Sequence, residues 1–342
     1  MRGLFSNVYD GLVSPVDTTW HQWAQAEIDA LRLAYAAGRP LLVRGEPGTG
    51  KTQLARAAAQ ALGWKLHAET IHPRFEPHEL RYRFDAVRRL ADAQAQQTLD
   101  DTCYWQPGVL WKAYGWAEAQ AYLPAAEQNQ NPTGHVVLID EIDKADSDLP
   151  NSLLEVLGQR RFNIPALGLE IGGGASGKDR PQPLVIITTN EERELPAAFL
   201  RRCVVLSLAP DADYHAWLIQ RGQAHFGALP GVPGREQPLL APELLAEAAR
   251  QLVADRDALG SLGLSRPGLA EYLDLLYALH TLIPPNEAQV DAEARTREQQ
   301  TWLKRLSAYS FLKHPVDDGS SPAHQPSQAR GRREDAAGQE PR

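Results

Sequence analysis

The sequence predicts an α/β fold with a central parallel sheet flanked by helices, followed by a smaller all-α domain. A glycine-rich turn at residues 45–52 stands between a short apolar run and an alanine-rich helical pattern. Compact apolar runs alternate with helical patterns as far as Pro210, which is typical of parallel strands covered on both faces. Beyond Pro210 the helical patterns continue without comparable strand signals.

The elements of the first domain follow in chain order. Residues 1–19 show no regular pattern and are predicted to be an irregular lead-in. Residues 20–38 have apolar side chains at helical spacing and end in glycine, which predicts a helix. A second helix is predicted over 51–62, and five apolar runs predict strands at 41–45, 64–70, 135–142, 183–190 and 204–208. The α/β domain is therefore predicted to span 20–210.

Two insertions are predicted within this domain. The connection over about 71–134 is long for a link between strands, and we expect two helices in it, at 77–97 and 105–123. Two short β-prone pieces around a glycine-rich segment predict a hairpin insert at about 162–183, with the glycines at its tip.

The carboxyl-terminal part divides into a helical domain and a tail. Residues 211–315 contain several helical stretches and are predicted to form an all-α domain. Residues 316–342 lack bulky apolar side chains, so a disordered tail is predicted there.

Composition limits the classes of function. The chain has 342 residues, of which 43% are apolar, enough to supply two cores. The formal net charge of −8 makes nucleic acid an unlikely partner, and a cluster of four arginines at 81–89 is interpreted as a solvated helix face. Cys103 and Cys203 lack metal-type spacing, which favours a reducing compartment. No apolar run approaches the roughly 18 residues that would cross a bilayer, and no leader pattern precedes the domain, so we expect a cytoplasmic protein without a membrane partner.

The glycine-rich turn is a candidate phosphate-binding loop. Its sequence, GEPGTGKT, fits the pattern G-x-x-x-x-G-K-[ST]. Glycines allow backbone N–H groups to turn inward around phosphate oxygens, and the following helix directs its positive end at the same place. The predicted nucleotide-binding residues are Gly45, Glu46, Pro47, Gly48, Thr49, Gly50, Lys51 and Thr52, with Lys51 on the β and γ phosphates and the Thr52 hydroxyl on Mg²⁺.

A metal anchor and a water-activating group are expected at a neighbouring strand end. The run HVVLIDEIDKAD places Asp140 and Glu141 where its strand should end, at the sheet edge where ligands of open α/β sheets bind. Asp140 is predicted to hold Mg²⁺, and Glu141 to polarise the attacking water. Together with the glycine turn, these acids predict a P-loop NTP hydrolase.

Five segments in this order resemble the AAA+ ATPases, and within them the MoxR-like branch of the dynein-related type. They are GEPGTGKT (45–52), LIDEIDKAD (138–146), NSLLEVLGQRRFNI (151–164), IITTNEERELPAAFLRRCVVLSL (186–208) and GLSRPGLAEYLDLL (263–276). They are similar, respectively, to Walker A, Walker B, the helix leading to the hairpin before sensor 1, sensor 1 with the arginine finger, and sensor 2. The resemblance covers residues 20–315 and implies an AAA+ domain with a helical lid.

The resemblance also implies roles for residues beyond the two Walker motifs. Asn190 corresponds to sensor 1 and would help orient the water. Arg201 and Arg202 stand where the arginine finger reaches a neighbouring subunit's ATP; Arg202 matches that position better, and Arg201 stands where MoxR proteins often have an acid. Arg266 corresponds to sensor 2, which contacts phosphate from the lid.

A finger that acts on a neighbour implies a homo-oligomeric ring, most often a hexamer in this family. The resemblance further implies ATP and ADP as ligands, Mg²⁺ as cofactor, and a protein partner, which in MoxR systems often contains a von Willebrand A domain. Two readings stay open: an ATPase that remodels its partner in a chaperone-like manner, and a nucleotide-gated switch or scaffold in a bacterial defence or signalling module. A GTP-using relative of restriction motor subunits is a weaker alternative, because EERELP after Asn190 does not resemble the NTAD of those proteins.

Overall fold

The computed structural model describes residues 4–96, 101–146, 148–172, 181–210, 212–284 and 292–311. The chain forms two compact units, Met1–Leu239 and Leu240–Arg342. The predicted glycine-rich tip and the predicted tail 316–342 fall outside the described residues.

The first unit contains eleven strands and eight α-helices among its described residues. In chain order they are β1 (Val13–Val16), β2 (Thr19–Gln22), α1 (Gln25–Ala37), β3 (Leu41–Arg44), α2 (Lys51–Leu62), β4 (Lys65–Thr70), β5 (Tyr82–Phe84), α3 (Ala86–Gln94), β6 (Trp105–Pro107), α4 (Val109–Tyr114), α5 (Trp116–Ala119), β7 (His135–Asp140), α6 (Asp148–Gln159), β8 (Arg161–Ile164), β9 (Leu169–Gly172), β10 (Leu184–Thr189), α7 (Ala197–Leu200), β11 (Val204–Ser207) and α8 (Tyr214–Phe226).

The second unit is helical throughout its described residues, with α9 (Pro242–Ser261), α10 (Leu269–Leu282) and α11 (Ala292–Ser310). The sequence placed the start of this domain at residue 211. The compact units divide after Leu239, so α8 belongs to the first unit. No helix in the described part of either unit is long and apolar enough to cross a membrane.

A five-stranded parallel sheet, ordered β11-β3-β10-β7-β4, forms the centre of the first unit. All five predicted strands are present, each shortened by one or two residues at most. Side chains alternate between the two faces, so Leu41 and Val43 pack with α1 and α2, whereas Leu42 joins the core on the opposite face with α4 and α6. The observed sheet and its flanking helices confirm the predicted fold class.

The amino-terminal lead-in contains a β-hairpin, where the sequence suggested no regular structure. Strands β1 and β2 pair antiparallel across a turn at Asp17, whose φ of 52° is left-handed. The helix predicted from residue 20 begins at Gln25 instead, because Glu27 accepts the N–H of Ala24 and caps the helix there. The apolar side chains of Trp20 and Trp23 therefore precede the helix.

The two helices predicted in the first insertion are interrupted by strands. The segment 77–97 forms a 3₁₀ turn at Pro77–Leu80, then β5 and α3, because Asp85 caps α3 by accepting the N–H of Arg88. The segment 105–123 forms β6 before α4, and β6 pairs with β5. Gly108 allows this close approach, since a Cβ there would lie 2.5 Å from the carbonyl oxygen of Leu80.

The predicted second insertion is a hairpin with a different tip. Strands β8 and β9 pair antiparallel, and a 3₁₀ turn at Pro165–Leu167 followed by Gly168, with φ of 63°, connects them. The glycine-rich segment predicted to form the tip therefore follows the hairpin in the chain.

Candidate nucleotide-binding site

The loop between β3 and α2 has the backbone geometry of an anion cradle. Gly45 and Gly50 have φ values of 154° and 94°, and a Cβ on Gly45 would lie only 2.4 Å from the carbonyl oxygen of Leu208. A Cβ on Gly50 would meet no described atom within 4 Å, so the loop is open on that side. No side chain caps the amino end of α2, and no acid lies in its first turn. The helix therefore presents its N–H groups and positive end to an open space suited to phosphate.

Lys51, the first residue of α2, holds its charge at the mouth of this cradle. Its side chain is buried, and Nζ donates to the carbonyl oxygens of Gly45 and Glu46, each at 2.8 Å. Burial lowers the pKa of Lys51, and the nearby carboxylates, Asp140 foremost, raise it in part. An anion entering the cradle would supply the negative charge that favours the ammonium form.

Thr52 and Asp140 bring together the two elements expected to share a metal. The Thr52 Oγ1 lies 3.0 Å from both carboxylate oxygens of Asp140, which ends β7. Thr188, at the end of β10, donates its hydroxyl to the Asp140 Oδ1 at 2.5 Å and so fixes the carboxylate. A hydroxyl and a carboxylate are hard oxygen donors of the kind that Mg²⁺ prefers. The residues present therefore fit the expected ion.

Glu141 lies beside these groups in a strained conformation. Its φ of 59° is left-handed, which is uncommon for a residue other than glycine and is found more often at functional sites. The Glu141 N–H donates to the Thr188 Oγ1 at 2.9 Å, and its Oε1 accepts from the Asn190 Nδ2 at 3.2 Å. The structure thus brings together Glu141 and Asn190, which lie at the ends of separate strands. Both residues were predicted to act on the attacking water.

Asp143 organises this site and was missed in the sequence. It is 1% exposed and accepts the backbone N–H groups of Asn190, at 3.2 and 3.3 Å, and of Glu192, at 2.9 Å. These bonds hold the loop after β10 in place. The sequence signal for Asp143 was its position two residues after Glu141 in DEID, close to a predicted catalytic acid. Thr188 had a similar signal, because it stands two residues before Asn190 in TTN.

Arg201 and Arg202 lie at the amino-terminal end of the sheet strands, whereas the cradle lies at the carboxyl-terminal end. They immediately precede β11, whose first pair is Val204 with Leu41, the first residue of β3. Since the cradle follows the last residue of β3, the length of the strand separates the arginines from it. The Arg201 carbonyl accepts from Arg39 at 3.4 Å, and the Arg202 Nη1 donates to the carbonyl of Ala198 at 3.3 Å. Both side chains are exposed, and neither forms an ion pair within the described ranges.

Arg266 belongs to the second unit, in the segment between α9 and α10. It is exposed, its guanidinium lies against Gly260, and α10 begins three residues later at Leu269. Its proposed contact with phosphate stays a prediction.

The tryptophans of the first insertion and two histidines on the flanking strands β4 and β7 have mainly structural positions. Trp111 and Trp116 are buried and Trp105 is partly buried. His67 and His135 are buried with their ring nitrogens 3.0 Å apart, and burial lowers the pKa of His67 to about 3. No group of three or more candidate metal ligands occurs in the described part of the chain.

Comparison with known protein families identifies the domain that carries this site. Residues 40–203 match the family model of the AAA domain, dynein-related subfamily. This part of the chain is therefore an AAA domain of that type. The matched residues begin just before β3 and end just before β11, so they include the cradle and the ends of β7 and β10.

Two further comparisons complete the picture. No functionally curated protein matches the sequence. Among solved structures, a "putative ATPase" from Cytophaga hutchinsonii, determined at 2.00 Å, is similar with a TM-score of 0.36 and 14% identity, covering 80% of this chain and 71% of that one.

Proposed function

We propose that this protein hydrolyses ATP to ADP and phosphate in a Mg²⁺-dependent reaction. The observation that carries the proposal is the convergence of Thr52, Asp140, Glu141 and Asn190 beside an open cradle of backbone N–H groups. We propose ATP rather than GTP as the nucleotide because EERELP after Asn190 does not resemble the NTAD of GTP-using relatives. The bound metal would neutralise phosphate charge, and Thr52 and Asp140 are the residues that would hold it.

The residues of the chain would divide the chemistry between binding and orientation. The amides of 45–52 and the Lys51 ammonium would bind the phosphates. The Glu141 carboxylate would accept a hydrogen bond from the attacking water, and the Asn190 amide, already bonded to Glu141, would fix where that water lies. Asp143 acts through Asn190 as a positioning residue.

The location of the arginines supports a site shared between subunits. Arg201 and Arg202 lie at the amino-terminal end of the strands, away from their own cradle at the carboxyl-terminal end, and both are exposed. An arginine that reaches a neighbour's nucleotide would stabilise the charge that develops on the transferred phosphate, which is worth orders of magnitude in rate. We therefore propose a ring, with six subunits as the expected number, Arg202 as the finger and Arg266 as a phosphate contact from the helical unit.

The partner is proposed to be a protein, in the manner of MoxR-like ATPases, with a protein that contains a von Willebrand A domain as the candidate. In the first reading, hydrolysis drives remodelling of that partner. In the second, the ATP-bound ring recruits an effector and slow hydrolysis resets it. Partner-stimulated turnover together with partner unfolding favours the remodelling reading, whereas ATP-dependent recruitment with slow turnover favours the switch.

The proposal is tested by the solution mass of Glu141→Gln with and without ATP and Mg²⁺. This variant keeps the phosphate-binding groups and should assemble with ATP without turning it over. Glu170→Gln, at an exposed position on β9, is the matched control and should hydrolyse ATP normally. Hydrolysis by Glu141→Gln at the rate of the unmodified chain would show that Glu141 does not activate the water. A persistent monomer with bound ATP would contradict the ring.

A further inference from the structure

The central sheet of the first unit has an open edge at β4. Among the described strands it pairs with β7 alone. The bonds from Lys65 N–H to Gly134 and from Ile71 N–H to Asp140 place the odd-numbered residues on the paired side. In a parallel strand the even-numbered residues then direct both backbone groups outward. Ala68 and Thr70 are exposed, and within the described ranges no strand or side chain pairs with their outward N–H and C=O groups.

This edge lacks the features that usually protect an exposed strand. Natural edge strands are commonly blunted by charged side chains, proline or a bulge. The residues whose backbone groups point outward, Leu66, Ala68 and Thr70, are uncharged. The charged side chains of the strand are already neutralised, Lys65 by Glu127 and Glu69 by Arg83. The strand contains neither proline nor a bulge in its register with β7. An unprotected edge of this kind is a template for a further strand.

A cleft of ≈ 680 Å³ lies along the same edge, between β4, the β5–β6 ribbon and α4. Its volume is in the range of sites that hold ligands of several hundred daltons. Trp105, Tyr122 and Val109 give it an apolar wall, whereas Ala68 and Glu69 line the side of the strand. A short extended peptide could therefore bond to the strand edge and place alternate side chains in the cleft.

The charges lining the cleft indicate which side chain such a peptide would carry. Arg83 already forms ion pairs with Glu69 at 2.7 Å and with Glu79 at 2.8 Å. Arg88 forms an ion pair with Asp92 at 3.9 Å. Lys112, on α4, is half-buried and forms no ion pair with any described carboxylate. It is the cation that a carboxylate from outside would neutralise.

The neighbouring helix α3 also has the character of a contact surface. Its Asp92 accepts the hydroxyl of Tyr104, so its polar side faces the protein. Val87 and Leu90 are 81% and 60% exposed. These two apolar side chains, three residues apart on the helix, enlarge the apolar surface that a bound segment could contact beside the cleft.

We propose that the edge of β4 and its cleft bind an extended segment of a partner protein as an added parallel or antiparallel strand. The segment has apolar side chains at alternate positions and one carboxylate directed at Lys112. This site lies outside the nucleotide machinery and does not depend on hydrolysis.

The test uses the full chain and a blocked nine-residue peptide. Valine and threonine alternate in this peptide, beginning with valine, and aspartate replaces the central valine so that it lies on the same face as the other valines. One control peptide has lysine at the centre, and the other carries N-methyl groups at alternate amides, which removes the strand bonds but keeps the side chains. Binding is followed by hydrogen exchange at the Ala68 and Thr70 amides. The rate of alkylation of Cys103 is a second reporter, because Cys103 is exposed in the cleft whereas Cys203 is buried.

At about ten times its Kd, the aspartate peptide should slow exchange at Ala68 and Thr70 roughly tenfold and slow alkylation of Cys103. Lys112→Glu should weaken binding at least about tenfold, Lys112→Gln should weaken it less, and Lys304→Glu on α11 should leave it unchanged. ATP hydrolysis by these three variants should match that of the unmodified chain.

Several results would overturn the proposal. They are a lack of protection at millimolar peptide, equal binding of the N-methylated peptide, and binding that is insensitive to Lys112→Glu. Protection of Ala68 and Thr70 that rises with protein concentration in the absence of peptide would also overturn it, and would assign the edge to a second copy of the chain.

Discussion

Replacing Asp143 by asparagine should separate the positioning of the catalytic groups from the binding of nucleotide. The buried carboxylate accepts the N–H groups of Asn190 and Glu192. Asparagine has nearly the same shape, but its amide oxygen is uncharged and therefore a weaker acceptor for both N–H groups. Its NH₂ group would replace the second carboxylate oxygen, which lies 3.3 Å from the Asn190 nitrogen, and would face that N–H donor. A hydrogen bond to a charged group contributes about 1.5–3 kcal/mol, so we expect Asp143→Asn to lower the free energy of unfolding by about that amount.

The effect on catalysis follows from the bond between the Asn190 Nδ2 and Glu141. If the loop after β10 shifts by about 1 Å, the water-orienting pair is misplaced, and kcat should fall roughly 10- to 100-fold. The KM for ATP should change by less than about threefold, because the cradle amides and Lys51 do not depend on that loop for their position.

The assays are phosphate release under steady-state conditions and guanidinium unfolding. Asp146→Asn is the matched control, since its side chain is 85% exposed and pairs with Arg193. The stability of this variant should change by less than about 0.5 kcal/mol. A kcat within twofold of the unmodified chain, in an Asp143→Asn variant that is measurably destabilised, would refute the positioning role.

Three further predictions test separate parts of the site and core. Thr188→Val removes the hydroxyl that bonds Asp140 and Glu141, so kcat should fall and more Mg²⁺ should be needed for half-maximal activity in a metal titration. Burial lowers the pKa of Lys51, and the charged form binds phosphate; ATP affinity measured by calorimetry should therefore decline as pH rises from 7 towards 10, and a constant affinity would contradict this. The pKa of His67 is about 3 in the fold against 6.5 in the unfolded chain, so the unfolded state binds more protons between these values. Stability should accordingly fall as pH drops below 6.5, by up to about 1.4 kcal/mol per pH unit, and His67→Gln should flatten that slope in urea titrations.

The parts of the fold that the sequence predicted best are those in which one strong local signal dominates. The strands β3, β7 and β10 are buried on both faces, so their sequences are unbroken apolar runs that few other structures would tolerate. The glycine turn likewise has a composition that only a tight, open loop requires. These elements fixed the position of the candidate site.

Other elements depend on contacts that are distant in sequence. Residues 77–97 are rich in alanine and arginine and resemble a helix, yet β5 forms there because it pairs with β6 more than twenty residues later. The β1–β2 hairpin similarly depends on packing beneath α2 and α8, and the turn of the β8–β9 hairpin at 165–168 is less conspicuous than the glycines that follow it.

The candidate site shows the same division. Residues at strand ends, such as Asp140 and Asn190, were predicted because a parallel sheet gathers its carboxyl ends at one edge. Asp143 and Thr188 were missed, since their places beside Glu141 and Asn190 in the sequence do not reveal the hydrogen bonds that they form between two strand ends. Such bonds can be recognised only when the strand order is known.

The shared site is tested most directly by mixing two inactive variants. Lys51→Ala should lose phosphate binding but keeps its arginines, and Arg202→Ala keeps its cradle but lacks the arginine proposed as the finger. If the finger acts on the neighbouring subunit, an equal mixture should regain roughly one quarter of the activity of the unmodified chain, because one interface in four combines an intact cradle with an intact finger. An inactive mixture, from variants that assemble together, would contradict a site shared between subunits.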